Sequence, residues 1–81
     1  MELKDTIVMM NSGNYEDRFK AEYYQLEIRT NNLWKMLNEW ESGKLYFVPT
    51  CSKKTLYDQL KLMIDYMTVL ADRADQEGIE L

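Results

Sequence analysis

Mostly apolar positions recur at intervals of three and four along two long stretches of the chain. In the first stretch these positions are Phe19, Tyr23, Leu26, Thr30, Leu33, Leu37 and Trp40. In the second stretch they are Leu56, Leu60, Met63, Met67, Leu70 and Ala74. A mean spacing of about 3.5 residues places each set on one stripe of an α-helix, which is the pattern of a coiled-coil seam. The pattern therefore predicts two long amphipathic helices.

Turn-forming residues mark the ends of the first long helix. Ser12 or Asn14, within a cluster of Asn, Ser and Gly, is the expected N-cap of a helix over residues 15–41. Gly43 is positioned to end that helix. Upstream, residues 3–10 have the apolar spacing of a short helix. Because two turns are not stable alone in water, we expect this helix to dock on the long helices or on another subunit.

The connection and the second long helix are delimited in the same way. Residues 45–48 form a short apolar run, which we expect to be an extended loop that folds its aromatic side chains back over the end of the long helices. Ser52 or Thr50 is the expected N-cap of a helix over residues 53–77. We expect this helix to fray at Gly78.

Two long helices joined by one short connection predict an all-α fold, an antiparallel two-helix hairpin that forms a single domain over residues 1–81. The chain has more apolar residues than one seam can cover. The surplus residues are Ile28, Trp34, Met36, Tyr57, Leu62, Ile64, Tyr66 and Val69. Exposed together, they would form a larger apolar patch than soluble monomers usually have. The N-terminal helix and the loop could cover them, but self-association into a homo-oligomer is the favoured interpretation.

The charge and composition of the chain restrict its partners. The net charge of −4 argues against binding to long nucleic acid, which requires a basic face, but allows a ligand with two or three phosphates. No apolar run is long enough to span a membrane, and the N-terminus is too charged for a signal peptide. One cysteine and no histidine exclude a Cys/His zinc site within one chain. We expect a soluble cytoplasmic protein.

Enzymatic activity is not expected. Cys51 has no histidine to activate it, and a packing or capping role is the simpler interpretation. Carboxylates such as Glu22 and Asp65 could contribute to a metal site, although carboxylates on helix surfaces are normally solvated. The chain has no glycine-rich phosphate loop. We therefore predict no catalytic residue, no metal and no cofactor.

Binding has better support, because the first long helix interleaves aromatic rings with cations. Tyr15, Arg18, Lys20, Tyr24 and Arg29 all lie on it. A nucleobase stacks on an aromatic or guanidinium plane, and an Arg fork holds a phosphate. The alternative is that these cations are simply solvated on an exposed face.

The order of residues along both helices resembles a known family. The positions that carry the resemblance are Tyr15, Arg18, Glu22, Leu26, Arg29, Leu33, Leu37, Gly43 and Pro49, followed by Gln59, Met63, Tyr66, Leu70 and Arg73. Together they cover roughly residues 15–75. This order is similar to that of the helical-hairpin proteins that tailed phages use against CBASS and Thoeris immunity. Those proteins are small sponges that sequester cyclic nucleotide signals.

The resemblance implies a homo-oligomer, typically a hexamer, that binds cyclic dinucleotides at sites shared between subunits. Some members also bind cyclic trinucleotides or cyclic ADP-ribose isomers. By this resemblance, Tyr15 stacks on a base and Arg29 lies near a phosphate. Arg18 and Arg73 match arginines that contact either the ligand or another subunit. We expect Arg18 to hold a phosphate together with Arg29, and Arg73 to lie in a second site or an interface. The N-terminal helix and the loop at residues 45–48 depart from the shortest family members, so ligand identity does not transfer.

Three hypotheses follow for the function. The first is a phage-type immune evasion protein that sequesters cyclic di- or trinucleotides in the bacterial cytoplasm without cleaving them. The second is an oligomeric helical interaction protein that docks on a host or phage protein and has no nucleotide ligand. The third and least favoured is a carboxylate–metal enzyme.

Overall fold

The computed structural model describes residues 1–81, and every regular element in it is helical. A 3-10 helix at Leu3–Thr6 continues into α1 at Ile7–Met10, and the two long helices are α2 at Tyr15–Glu41 and α3 at Lys53–Glu77. The chain has no strand, which confirms the predicted all-α class. It measures 43 × 24 × 17 Å. Neither long helix contains an apolar segment of the length needed to cross a membrane.

Polar contacts at both ends show how α2 and α3 lie beside each other. At one end the Tyr15 hydroxyl donates to a carboxylate oxygen of Glu77. At the other end the Lys53 ammonium lies 3.4 Å from a carboxylate oxygen of Glu41. The beginning of α2 is therefore adjacent to the end of α3, and the end of α2 is adjacent to the beginning of α3.

Side chains cap the first turn of each long helix. The Asn14 side chain accepts a hydrogen bond from the Glu16 backbone N–H at 2.8 Å, and the Ser52 hydroxyl accepts one from the Thr55 backbone N–H at 3.1 Å. These bonds satisfy N–H groups that have no partner inside the helix. Gly43 follows the end of α2 with a φ of 73°, a conformation that favours glycine.

The seam between α2 and α3 forms the core. All thirteen positions of the two predicted stripes are buried or half-buried. The fully buried seam positions are Phe19, Thr30, Leu37, Leu60, Leu70 and Ala74. Among these, Leu37 and Leu70 have the largest fully buried side chains. Apolar burial along this seam is therefore what holds α2 against α3.

The end of α3 is fixed, and the expected fraying at Gly78 is wrong. Gly78 adopts a φ of 70°, which reverses the chain direction. The Ile79 backbone N–H then donates to the Ala74 carbonyl at 2.8 Å, and the Ile79 side chain is only 6% exposed. It joins Phe19 and Leu70 in the core cluster. A left-handed glycine followed by an apolar residue that returns to the helix is a stable helix ending.

We predict that Gly78→Ala lowers the free energy of unfolding by about 1 kcal/mol, because a Cβ is unfavourable at positive φ. Gly13→Ala is the matched control, since Gly13 has open space for a Cβ and does not have a positive φ. Urea denaturation of both variants measures the difference. Equal stability of the two variants would contradict the assigned helix ending.

The N-terminal segment packs on α2 rather than extending away from it. The Thr6 side chain is fully buried, and its hydroxyl donates to the Leu3 carbonyl at 2.7 Å. The Gln25 side-chain amide of α2 donates to the Thr6 hydroxyl at 2.9 Å and also to the sulfur of Met10. These contacts supply the docking that a segment of this length requires.

The loop before α3 differs from expectation. Tyr46 and Val48 are 93% and 84% exposed, so they do not fold back over the long helices. Phe47 instead lines a small groove together with Met36 of α2 and Leu56 of α3. The chain bends at Tyr46 and Phe47, whose ring centroids lie 5.1 Å apart, so the loop is not extended there. Val48 also borders the groove despite its exposure.

Candidate ligand-binding site

Tyr15, Arg73 and Glu77 form a hydrogen-bonded cluster where the beginning of α2 meets the end of α3. The Tyr15 hydroxyl donates to Glu77 Oε1 at 2.6 Å and accepts from Arg73 Nη2 at 3.0 Å. Arg73 Nε lies 3.4 Å from Glu77 Oε2, which closes the triangle. The structure thus joins two of the four predicted site residues, although they lie on different helices.

Phe19 forms the floor under this cluster. The guanidinium carbon of Arg73 lies 5.0 Å from the centroid of the Phe19 ring, within the range of a cation–π contact. The Tyr15 ring lies 6.3 Å from the same ring, tilted by 51°. Because Phe19 is only 3% exposed, it is held in place by the core. This residue connects the packed seam to the polar cluster.

The cluster remains open to solvent. Tyr15 is 47% exposed, and the Arg73 side chain is 45% exposed. An exposed phenol ring offers a surface on which a planar base can stack. A guanidinium group has five N–H donors, so contacts with Tyr15 and Glu77 leave some for an anion. The arrangement is chemically suited to a ligand that combines an aromatic ring with a phosphate.

Hydrogen bonds to neighbouring carboxylates raise the pKa of two phenols, Tyr15 and Tyr66. The hydrogen bond from Tyr15 to Glu77, reinforced by desolvation and by the negative charge, raises the pKa of Tyr15 above its ordinary value of 10.0, and Arg73 opposes this shift. The Tyr66 hydroxyl donates to Glu22, and that hydrogen bond is likewise the main reason the pKa of Tyr66 is raised. Both phenols are neutral hydrogen-bond donors at physiological pH, as an unperturbed tyrosine is, and the shifts affect their ionisation only in alkali.

We predict that the free energy of unfolding falls as the pH rises above about 10. The folded chain holds the Tyr15 and Tyr66 protons at a pH where the unfolded chain releases them, so the unfolded state binds fewer protons. Urea denaturation between about pH 8 and about pH 11 measures the slope. The double variant Tyr15→Phe/Tyr66→Phe should show a shallower slope, and an unchanged slope would contradict the assignment.

Arg18 lies at the same end of α2 as Tyr15 but contacts the preceding turn. Its Nη1 donates to the Ser12 carbonyl at 2.8 Å. The Ser12 hydroxyl in turn donates to Asp17 at 2.9 Å and accepts from the Asn14 backbone N–H at 3.0 Å. Arg18 therefore stabilises the turn before α2. Its side chain is exposed, and it lies one helical turn from Tyr15.

Arg29 is exposed and forms no ion pair or hydrogen bond through its side chain. It follows Tyr15 by fourteen residues, which corresponds to about 21 Å along an α-helix. Tyr15, Glu22 and Arg29 are seven residues apart and so lie along one flank of α2. A single chain does not bring Arg29 and Tyr15 into one site.

An open apolar groove with a volume of about 530 Å³ lies between the two long helices. Its lining residues are Tyr23, Thr30, Asn31, Trp34, Leu60, Ile64, Met67, Thr68 and Ala71. Trp34 is 57% exposed at its rim. Several of these residues were predicted only as seam positions, since periodicity does not reveal where the two helices leave space between them.

Other candidate groups do not assemble into a site. Cys51 is a free, exposed cysteine that adjoins the small apolar groove near Phe47. No three or more cysteine or carboxylate side chains lie close enough together to hold a metal ion.

These features define a small all-helical protein with an exposed Tyr–Arg–Glu cluster on a rigid aromatic floor. Residues 13–76, most of the chain, match the Sequestin family, and the chain belongs to that family. This match confirms the expected relationship to small sequestering proteins. No curated protein and no solved structure matches the chain. The matched region includes Tyr15, Arg18, Arg29 and Arg73, whereas Glu77 follows it directly.

Proposed function

We propose that the chain is a non-enzymatic sponge of the phage immune evasion type. It binds cyclic oligonucleotide second messengers, namely cyclic dinucleotides, cyclic trinucleotides or cyclic ADP-ribose isomers, and removes them from the bacterial cytoplasm without cleaving them. Its targets are the signals of CBASS or Thoeris immunity. Membership of the Sequestin family supports a sequestering role. The observation that carries the proposal is the exposed Tyr15 ring hydrogen-bonded to the Arg73 guanidinium.

The cluster suits the chemistry of a cyclic dinucleotide. A base stacks on the Tyr15 ring, which costs little ordering entropy because hydrogen bonds already hold the hydroxyl. Arg73 donates to a phosphate from a position fixed over Phe19. Arg18, on the same end of α2, adds a second positive charge. A net charge of −4 does not oppose this, because local cations decide binding of a small ligand.

Assembly into a homo-oligomer of antiparallel hairpins, with a hexamer expected, completes the proposal. The chain exposes 5831 Å², against about 5,100 Å² for a typical monomer of this size. Trp34, Leu62 and Val69 are each more than half exposed, which a stable monomer would not favour. A second subunit is also what would bring Arg29 within reach of a ligand stacked on Tyr15, since one chain separates them by about 21 Å.

Binding without cleavage agrees with the chemistry of the cluster. Tyr15 is a protonated phenol at neutral pH, and a protonated phenol is a weak nucleophile. Cys51 lies beside the apolar side chains of Phe47 and Leu56, away from the cluster. The sequence contains no histidine to act as a base. The ligand is therefore expected to be released intact when the protein is denatured.

Native mass spectrometry of the purified protein tests the proposal. The spectrum is recorded with and without a mixed panel of cyclic di- and trinucleotides and cyclic ADP-ribose isomers. A homo-oligomer that gains intact nucleotide masses at a fixed ratio per subunit supports the sponge and identifies its ligand class. Altered nucleotide masses would indicate an enzyme instead.

The apolar groove at Trp34 supports an alternative function. An oligomeric interaction protein would use this groove and the exposed Leu62 face to dock on a host or phage protein, with no nucleotide ligand. Such a protein would gain no nucleotide mass in the same experiment. Its partner would then be sought by affinity capture with Trp34→Ala as the negative control.

A further inference from the structure

We propose that Glu77 is an internal competitor at the Tyr15–Arg73 site, so that an anionic ligand must displace its carboxylate to bind. This inference rests on the proposed function and adds the residue that sets the affinity of the site. Glu77 occupies the positions a phosphate would need, since its Oε1 accepts a hydrogen bond from the Tyr15 hydroxyl and its Oε2 lies 3.4 Å from Arg73 Nε. Glu77 lies one residue beyond the region matched to the family.

The contact is weak enough for a ligand to replace. Arg73 and Glu77 are four residues apart on α3, and their side chains are 45% and 35% exposed. Exposed ion pairs at this spacing contribute little, and the order with the cation first is the less favourable one. A phosphate bound bidentately by a guanidinium forms stronger, charge-assisted hydrogen bonds. The carboxylate therefore lowers affinity without closing the site.

The dipole of α3 does not favour a carboxylate at this position. Glu77 is the last residue of α3, where the negative end of the helix dipole disfavours an anion. The following residues nevertheless hold it in place, because Gly78 reverses the chain and Ile79 is buried against Phe19. The fold thus fixes a negative charge next to Arg73 at a position that is electrostatically unfavourable for the helix itself.

Glu77→Gln removes the charge and keeps the shape, since the amide oxygen still accepts from Tyr15. The matched control is Asp75→Asn, which makes the same charge change in the same helical turn at a side chain that contacts neither Arg73 nor Tyr15. Both variants and the parent are titrated by calorimetry with cyclic di-AMP, cyclic di-GMP and cyclic GMP–AMP. They are titrated separately with inorganic pyrophosphate, followed by the Arg73 Nε–H resonance in NMR.

Glu77→Gln is expected to bind roughly three- to tenfold more tightly than the parent, because a like charge within about 5 Å of the ligand has been removed. Asp75→Asn should change affinity by less than about twofold. Equal or weaker binding by Glu77→Gln would overturn the proposal, and weaker binding would make Glu77 a ligand contact. If none of the three cyclic dinucleotides binds, cyclic dinucleotides are excluded as the ligand of the proposed function, and the pyrophosphate titration still tests the role of Glu77. The proposal would also be overturned if pyrophosphate shifts the Arg73 Nε–H resonance neither in the parent nor in Glu77→Gln.

Discussion

Leu70→Ala is expected to lower the free energy of unfolding by about 3 kcal/mol, because it leaves a cavity in the tightest part of the core. Leu70 is fully buried and packs with Phe19, Ala74 and Ile79. A domain of this length has a total stability of about 4–12 kcal/mol, so this one change removes a large part of it. The melting temperature should fall by about 12–24 °C. Thermal denaturation followed by circular dichroism measures both quantities.

Leu62→Ala is the matched control, because it removes the same atoms from the same helix at a side chain that is 68% exposed. In an isolated chain its cost should be within about 0.5 kcal/mol. A larger cost that grows with protein concentration would place Leu62 in a subunit interface, since association stabilises the folded state by mass action. If Leu70→Ala costs no more than Leu62→Ala, the assigned core is wrong.

The all-α class was predictable because the spacing of about 3.5 residues continues through both long stretches. The loop was harder, because the exposure of Tyr46 depends on how the chain bends at Tyr46 and Phe47, which residue types alone do not specify. The end of α3 was missed for a related reason. Ile79 reaches the core only because Gly78 adopts a positive φ and because space remains beside Phe19, and neither condition is visible in the sequence.

The candidate site was predictable residue by residue but not as an arrangement. Tyr15 and Arg73 are recognisable by residue type, yet their contact depends on how far α2 and α3 are shifted along each other. The only sequence signal for Glu77 is its four-residue spacing from Arg73, which allows an ion pair on one face of α3. Arg29 lies about 21 Å from Tyr15 along α2, so it could join the same site only if a second subunit supplies it.

Within the proposed function, Tyr15→Ala is expected to weaken cyclic dinucleotide binding by about tenfold to a hundredfold, the effect of losing one base–aromatic stacking contact. It also removes the acceptor that fixes Arg73 Nη2, so the guanidinium loses part of its positioning. The oligomer mass should stay unchanged, because Tyr15 is 47% exposed and lies at one end of the helix pair. Calorimetric titration and native mass spectrometry measure the two quantities.

Two further variants serve as a control and as a second test of the Tyr15 result. Tyr46→Ala removes an equivalent ring that is 93% exposed in the loop at the opposite end, and it should bind like the parent. Arg29→Ala should weaken binding without changing the oligomer mass, because its charge is supplied to the ligand from a neighbouring subunit in the proposed assembly. If Tyr15→Ala and Arg29→Ala both bind like the parent, the ligand does not use this cluster. The apolar groove at Trp34 would then be the next place to look, since it is the larger open space between α2 and α3.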